Sequence, residues 1–307
     1  MSSHRLSSIL TVAVILHDGE NHQHVEREIA RILGDDSSIR VRLEQGEGQL
    51  VLGGDDELEL EAISQRILEA AAVDFGELRI AFRETVRKAA EAEGKYIRQT
   101  GGSGNYGHCE LRIEPNEPGK GYEFINEIKG CVVPKEYIKP IDMGVRGAME
   151  GGILAGFPMV DVKVALIDGS YHEVDSNENA FKIAGSIAFK EAAHKAKPVL
   201  LEPVMAVEVT VPEEYMGVII GDINSRRGRI EGMEHAAGSQ VIKAVVPLAE
   251  LLRSSRCGRP EYSMRFARYE PVPRSHGFGD NAAPVFAVRP RGPTPKDRST
   301  SVRPDDQ

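Results

Sequence analysis

The stretch KYIRQTGGSGNYGH, Lys95 to His108, decides how this 307-residue chain is read. A short run of strand character enters a glycine-dense loop, and a second run leaves it through Cys109, Glu110, Leu111, Arg112 and Ile113. Gly101, Gly102, Gly104 and Gly107 permit a left-handed backbone or the close approach of another segment. Ser103, Asn105, Tyr106 and His108 are left to project from the loop. A distant stretch, DGSYHEVDS from Asp168 to Ser176, carries Tyr171 and His172 just before a predicted helix. The two stretches are expected to meet at the working end of one domain.

The length suffices for two or three domains, each with its own core. A hydrophobic content of 41% and a charged content of 28% are those of a soluble globular protein. No apolar run is long enough to span a bilayer. LSSILTVAVIL, residues 6–16, is followed by HDGENHQH without a small-residue cleavage site, so it reads as a first buried strand. Cys109, Cys131 and Cys257 show no CxxC spacing. They predict neither a disulfide nor a zinc framework and fit a reducing cytoplasm. The net charge of −9 argues against a non-specific nucleic-acid binder. Residues 1–90 hold 10 Lys and Arg against 17 Asp and Glu, and so are the least suited to face a polyanion.

In chain order, periodicity predicts a strand at 9–16, a helix at 21–33 with Val25, Ile29 and Ile32 inward, and a hairpin turning at 46–48. A helix at 56–71 (Leu60, Ile63, Ile67 and Leu68 inward) and the strand ELRIAF complete a βαββαβ unit of the ferredoxin-like kind. Residues 91–200 read as a mixed α/β blade: the glycine loop, a strand pair CELRIEP and YEFINEI, and the proline-bounded VVPKEYIKP. A helix follows at 140–152, then a strand at 159–167. The last helix of the blade is capped by Asp175 with Glu178, with Ala180, Ile183 and Ile187 inward. Residues 201–273 repeat the first architecture, with a helix at 212–227 opened by Pro212 and closed by Arg226, Arg227 and Gly228. The fold class is therefore α+β, with domains at 1–90, 91–200 and 201–273. The tail 274–307, whose apolar residues are Val285, Phe286 and Val288, is predicted to be disordered.

Gly102 to Gly107 matches G-x-G-x-x-G, but a strand follows where a dinucleotide site needs a helix N-terminus. Asp74-Phe75-Gly76 precedes the loop, and no HRD exists, which removes a kinase reading. His172-Glu173 lacks the second histidine of HExxH, since position 176 is serine. No G-x-x-x-x-G-K-[ST] occurs, so no nucleotide-phosphate cradle, cofactor or metal is expected. For the two loops a tight hairpin and a helix cap remain open readings. Their shared style, an aromatic or histidine among small residues, suits stacking on bases and hydrogen bonding to riboses and phosphates.

YIRQTGGSGNYGH, VVPKEYIKP, GFPMVDVKVALIDGSYHEVDSNENAFKIAGSIAFKEA, LLEPVMAVEVTVPEEYMGVIIGDINSRRGRIEGME and VIKAVVPLAEL together resemble the C-terminal half of bacterial translation elongation factor G. The resemblance is nearly unbroken over residues 91–252 and looser over 9–90. It implies domains III, IV and V of that family, with domain IV the blade that enters the decoding site of the small ribosomal subunit during translocation. By resemblance the tip comprises Gly101, Gly102, Ser103, Gly104, Asn105, Tyr106 and Gly107 with Tyr171, His172 and Asp175. The implied partners are the ribosome, its RNA, tRNA and mRNA, and no membrane. The family's GTPase domain has no counterpart in the sequence, so no enzyme activity is expected. The family's GMGELHLE reads GDDELELE here, from Gly54 to Glu61, and the second helix of the last domain is cut short after Leu252. The acidic first domain leaves open docking on a separate GTPase subunit, and an inactive paralogue is the further alternative.

Overall fold

In the computed structural model, residues 8–17, 22–34, 38–43, 49–98, 104–236, 238–253 and 262–273 are described. The hairpin turn expected at 46–48, Cys257 and the tail with Val285, Phe286 and Val288 lie outside these residues. The chain divides into two compact units, one built on residues 11–79 and one on the described residues from Ile80 onward.

The first unit runs β1 (Leu10–Leu16), α1 (His22–Leu33), β2 (Arg40–Leu43), β3 (Leu50–Gly54), α2 (Glu57–Ala70) and β4 (Val73–Ile80). Its sheet order, β2-β3-β1-β4, is that of a ferredoxin-like fold. Val25 and Ile29 of α1 and Leu60, Ile63 and Ile67 of α2 are buried, as their helical spacing requires. Leu68, expected inward, is exposed. Asp56 caps α2 by accepting from the Glu59 N–H at 3.1 Å, and Glu59 pairs with the Ser38 hydroxyl. The two acidic departures from the family pattern therefore have structural roles of their own. Asp74-Phe75-Gly76 lies inside β4.

The second unit begins with β5 (Arg83–Val86), β6 (Ala90–Arg98), β7 (Asn105–Pro115) and β8 (Glu123–Asn126). It continues with α3 (Lys135–Glu150), β9 (Val162–Ser170) and α4 (Glu178–Lys195). The sheet order is β6-β7-β9-β8, with β8 and β9 parallel. The expected pairing of CELRIEP with YEFINEI does not form, because β9 enters between them after the α3 crossover that parallel strands need. Helix α3 starts at Lys135 rather than 140 and contains Pro140. Burial of Ile141, Val145, Ala148 and Met149 outweighs the backbone hydrogen bond that proline forfeits.

Helix α4 corrects the expectation most. Its buried face is Ala180, Phe181, Ala184, Gly185, Ala188, Phe189 and Ala192, whereas Ile187 is exposed and Ile183 is half-buried. Small residues line this face because the helix backbone lies almost against the sheet. A Cβ on Gly94 of β6 would stand 2.0 Å from the Ala184 carbonyl oxygen, and one on Gly107 of β7 2.4 Å from that of Ala180. Hydrophobic periodicity alone favours the large residues, but at Ala180, Ala184 and Ala188, where the helix backbone nearly touches the sheet, only small ones fit.

The chain then forms β10 (Pro198–Pro212), α5 (Met216–Ser225), β11 (Arg229–Ala236), β12 (Ser239–Pro247), α6 (Leu248–Arg253) and β13 (Tyr262–Pro271). The order β11-β12-β10-β13 repeats the ferredoxin-like pattern, and β5 joins it by pairing with Pro198–Leu201 at the start of β10. Pro212 ends β10 instead of opening a helix, and a single 3-10 turn, Glu213–Tyr215, leads into α5. Arg227, not Gly228, takes the left-handed backbone after α5 (φ 58°). Its guanidinium donates to both oxygens of the buried Glu202 at 2.8 and 2.9 Å and to Glu250 at 3.2 Å, which holds the strained residue in place. Gly228 serves close packing, since a Cβ there would meet Ile223 at 2.6 Å. Helix α6 has six residues. Among the described residues no helix is long and apolar enough to cross a membrane.

Candidate nucleic-acid interface

The two stretches meet. The Gly104 N–H donates to the Asp175 carboxylate (Oδ1) at 2.8 Å, and the Tyr106 N–H donates to the Asp175 carbonyl at 2.8 Å. Tyr106 and Ser176 form a β-bridge, and the Asn177 side-chain amide donates to Asn105 Oδ1 at 2.8 Å. Asp175 therefore ties one loop to the other and does not cap α4. The N-cap is Asn177, whose Oδ1 accepts from the Ala180 N–H at 2.9 Å. Gly101, Gly102 and Ser103 lie outside the described residues.

The left-handed backbone expected of this loop is not found at Gly104 or Gly107. Gly107 is glycine because α4 passes against it. Gly104 is glycine where a Cβ would come within 3.0 Å of the Asp175 carboxylate. Tyr106 and His172 bring their rings to 6.3 Å between centroids, tilted by 49°. The turn carrying His172 is closed by Ser176, whose hydroxyl accepts from the His172 N–H at 2.9 Å and whose own N–H donates to the His172 carbonyl at 3.0 Å. The His172 side chain remains 58% exposed, with Nδ1 3.6 Å from Asp175 Oδ2. Tyr171 and Val174 are exposed beside it, Val174 at 75%.

Three supports of this site lie beyond the sequence reading. Tyr137 at the start of α3 donates its hydroxyl to the Ser176 carbonyl at 3.2 Å and stacks on Phe181 at 4.4 Å. Burial, and then Glu136, push that hydroxyl's pKa up, so it remains a donor. Val133 fills the space a Cβ on Gly169 would occupy, at 2.5 Å, which brings the segment before α3 against the end of β9. The Ser170 hydroxyl is bonded to both Tyr106 and His108 at 2.8 Å. Strict alternation in NYGHCELRI already puts Tyr106 and His108 on one sheet face. Their partner on β9 needs the register.

Chemically the arrangement offers two aromatic faces, hydroxyls and an imidazole, with no group of His, Cys, Asp or Glu that could hold a metal among the described residues. It can stack and exchange hydrogen bonds. Cys131, in the exposed loop before α3, contrasts with Cys109, whose thiol is pushed up to about 12 by burial. A maleimide at mildly alkaline pH is expected to label Cys131 in the native chain and to spare Cys109 until denaturant is added. Modification of Cys109 in the native chain, read by mass spectrometry, would contradict the packing of α4 on β7.

The described residues thus form a mixed α+β chain with a ferredoxin-like sheet before and after the blade. The profile of elongation factor G domain IV matches residues 78–197, and that of the elongation factor G C-terminus matches residues 199–277, together about two thirds of the chain. A crystal structure of a protein from Thermus thermophilus superposes with a TM-score of 0.70 at 38% sequence identity, over 88% of this chain. The chain spans 42% of the length of that protein. The chain belongs to the elongation factor G family and carries its domain IV and C-terminal domain.

Proposed function

We propose that this chain binds the ribosome through the end of the blade where Gly104 to Gly107 and Tyr171 to Asp175 meet, in translocation-related protein synthesis in the cytoplasm. In this reading residues 1–90, 91–200 and 201–273 act as domains III, IV and V. The blade end contacts RNA of the small-subunit decoding region and the tRNA and mRNA there. The 307 residues supply ribosome contacts and no nucleotide hydrolysis, in keeping with the absence of a phosphate-cradling G-x-x-x-x-G-K-[ST] from the sequence.

One observation carries the reading. Asp175 locks two loops that are about 70 residues apart in sequence, so that Tyr106 and the exposed His172 stand side by side. A cap or a plain hairpin needs no such tie. A net charge of −9 fits as well, because stacking and hydrogen bonding need no large basic field.

The test is His172→Ala. An exposed side chain away from caps and core changes stability by less than about 0.5 kcal/mol. Loss of one stacking or hydrogen-bonding contact weakens binding by about 1–3 kcal/mol, about fivefold to a hundredfold. Co-sedimentation with ribosomes and thermal unfolding of the same variant are expected to separate: binding falls and unfolding stays. Binding that is indifferent to His172 would refute the site. A second reading, docking on a separate GTPase subunit, is favoured by the acidic excess of residues 1–90, and a stable complex with such a subunit away from ribosomes would identify it.

A further inference from the structure

Behind the candidate tip runs a line of four side chains whose hydrogen bonds stacking does not require. On the open face of the blade sheet, strand register sets His108 of β7 opposite Ser170 of β9 and Lys95 of β6. Ser170 Oγ stands 2.8 Å from Tyr106 Oη and 2.8 Å from His108 Nδ1. His108 Nε2 stands 3.3 Å from Glu93 Oε2. We propose that Glu93, His108 and Ser170 form a proton line that sets whether the Tyr106 hydroxyl accepts or donates towards RNA. His108 and Ser170 are then positioning residues of the tip, and the inference rests on the ribosome-binding reading above.

Counting hydrogens fixes the direction of each bond. A serine hydroxyl has one proton to give and two lone pairs, and a carboxylate only accepts. With Glu93 ionised, a neutral His108 carries its proton on Nε2 and donates it to Glu93, because two facing lone pairs repel. Nδ1 then only accepts, so Ser170 must donate to it. The single proton of Ser170 is thereby used, and Tyr106 must donate its own proton inward to Ser170 Oγ. What Tyr106 offers outward is lone pairs, suited to an amino group or a ribose hydroxyl.

Protonation of His108 reverses the line. Nδ1–H now donates to Ser170 Oγ, which frees the serine proton for Tyr106 Oη. The tyrosine proton turns outward, suited to a phosphate oxygen. No bond other than hydrogen bonds changes, and the single added proton resides on His108. The charged groups sharing this sheet face around His108 are Glu93 and Lys95 from β6, Glu110 on β7 and Asp168 from β9, with His172 beyond Tyr106. Of these, Glu93 is the one bonded to the imidazole.

Two measurements on the full chain test this. Imidazole nitrogen shifts by NMR are expected to show neutral His108 with the proton on Nε2, and a proton on Nδ1 or an even mixture would overturn the line. Ribosome binding is then compared for the unaltered chain and Tyr106→Phe across the imidazole range, about pH 6 to 8. The loss on substitution is expected to be about tenfold larger at the acidic end, the strength of one hydrogen bond to a charged oxygen. On a Ser170→Ala background the loss should be the same at both ends. His172 is present in both proteins and in the Ser170→Ala background, so the comparison isolates the Tyr106 hydroxyl. A ratio independent of pH in the unaltered background overturns the inference. If the unaltered chain binds no ribosome at any pH, the functional reading fails while the NMR result still decides the proton line.

Discussion

Replacing Glu84 by alanine is expected to lower the stability of the second unit by about 3–5 kcal/mol, the cost typical of breaking a buried charged network. Glu84 sits on β5 with its side chain fully buried. Its carboxylate accepts from four backbone N–H groups of one loop: Ile153 at 2.6 Å, Leu154 and Ala155 at 2.8 Å, and Phe157 at 3.1 Å. Each buried donor left without a partner costs about 1–3 kcal/mol, less where water can follow. The same strand pairs with the start of β10, so the loss falls where the blade joins the C-terminal sheet. Glutamine distinguishes this account from a mere loss of charge. Its amide NH2 would face two of the four donors, so Glu84→Gln should be nearly as damaging as alanine. At about 2–4 °C per kcal/mol for a unit of this size, a fall of about 10 °C in Tm is the expected reading. Hydrogen exchange at residues 153–157 should accelerate with it. A Gln variant as stable as the parent would sink the account.

Gly94→Ala is expected to be among the most damaging single methyls in the blade. The new Cβ would meet the Ala184 carbonyl oxygen at 2.0 Å and the Ala188 amide nitrogen at 2.5 Å. Both belong to helix backbone, which cannot rotate away as a side chain can. Overpacking of this kind costs about 1–3 kcal/mol and more where backbone must shift, so a loss of about 3 kcal/mol is expected in denaturant unfolding. Gly147→Ala provides the opposite sign. Gly147 lies on the exposed side of α3 with nothing within 4 Å of a Cβ, so alanine there should add about 0.5–1 kcal/mol. If the two substitutions behave alike, the close seating of α4 on β6 and β7 is wrong.

These two residues mark the limit of what local sequence carries. The βαββαβ run of both ferredoxin-like units and the burial of Val25, Ile29, Leu60, Ile63 and Ile67 follow from apolar spacing, because α1 and α2 meet their sheet through large side chains, whereas Leu68, expected on the same face, stays exposed. The approach of α4 follows another rule. Glycine on the strands and alanine on the helix let backbones come together, and nothing in hydrophobic periodicity marks Ala184 over Ile187 as the buried position. Pro140 and Pro212 mislead for a related reason. Proline signals a helix boundary locally, but packing of Ile141 to Met149 carries one helix past it, and pairing of Pro212 with Ser239 keeps the other in a strand.

For the candidate site, the two loops and their aromatic residues were legible, and their meeting was expected. By itself the sequence determined the family, the α+β class and the two stretches that meet, since these depend on neighbours along the chain. Asn105, Tyr106 and Gly107, expected in the loop, already belong to strand β7, and β5 has no counterpart among the expected strands. Only the tertiary structure decided that Asp175 ties the loops instead of capping α4, that Glu84 gathers a loop about 70 residues away, and that Ser170 joins Tyr106 to His108. Each of these is a polar contact set by register or by chain crossing. A carboxylate or hydroxyl in the sequence carries no record of which distant N–H or imidazole it will be brought to face.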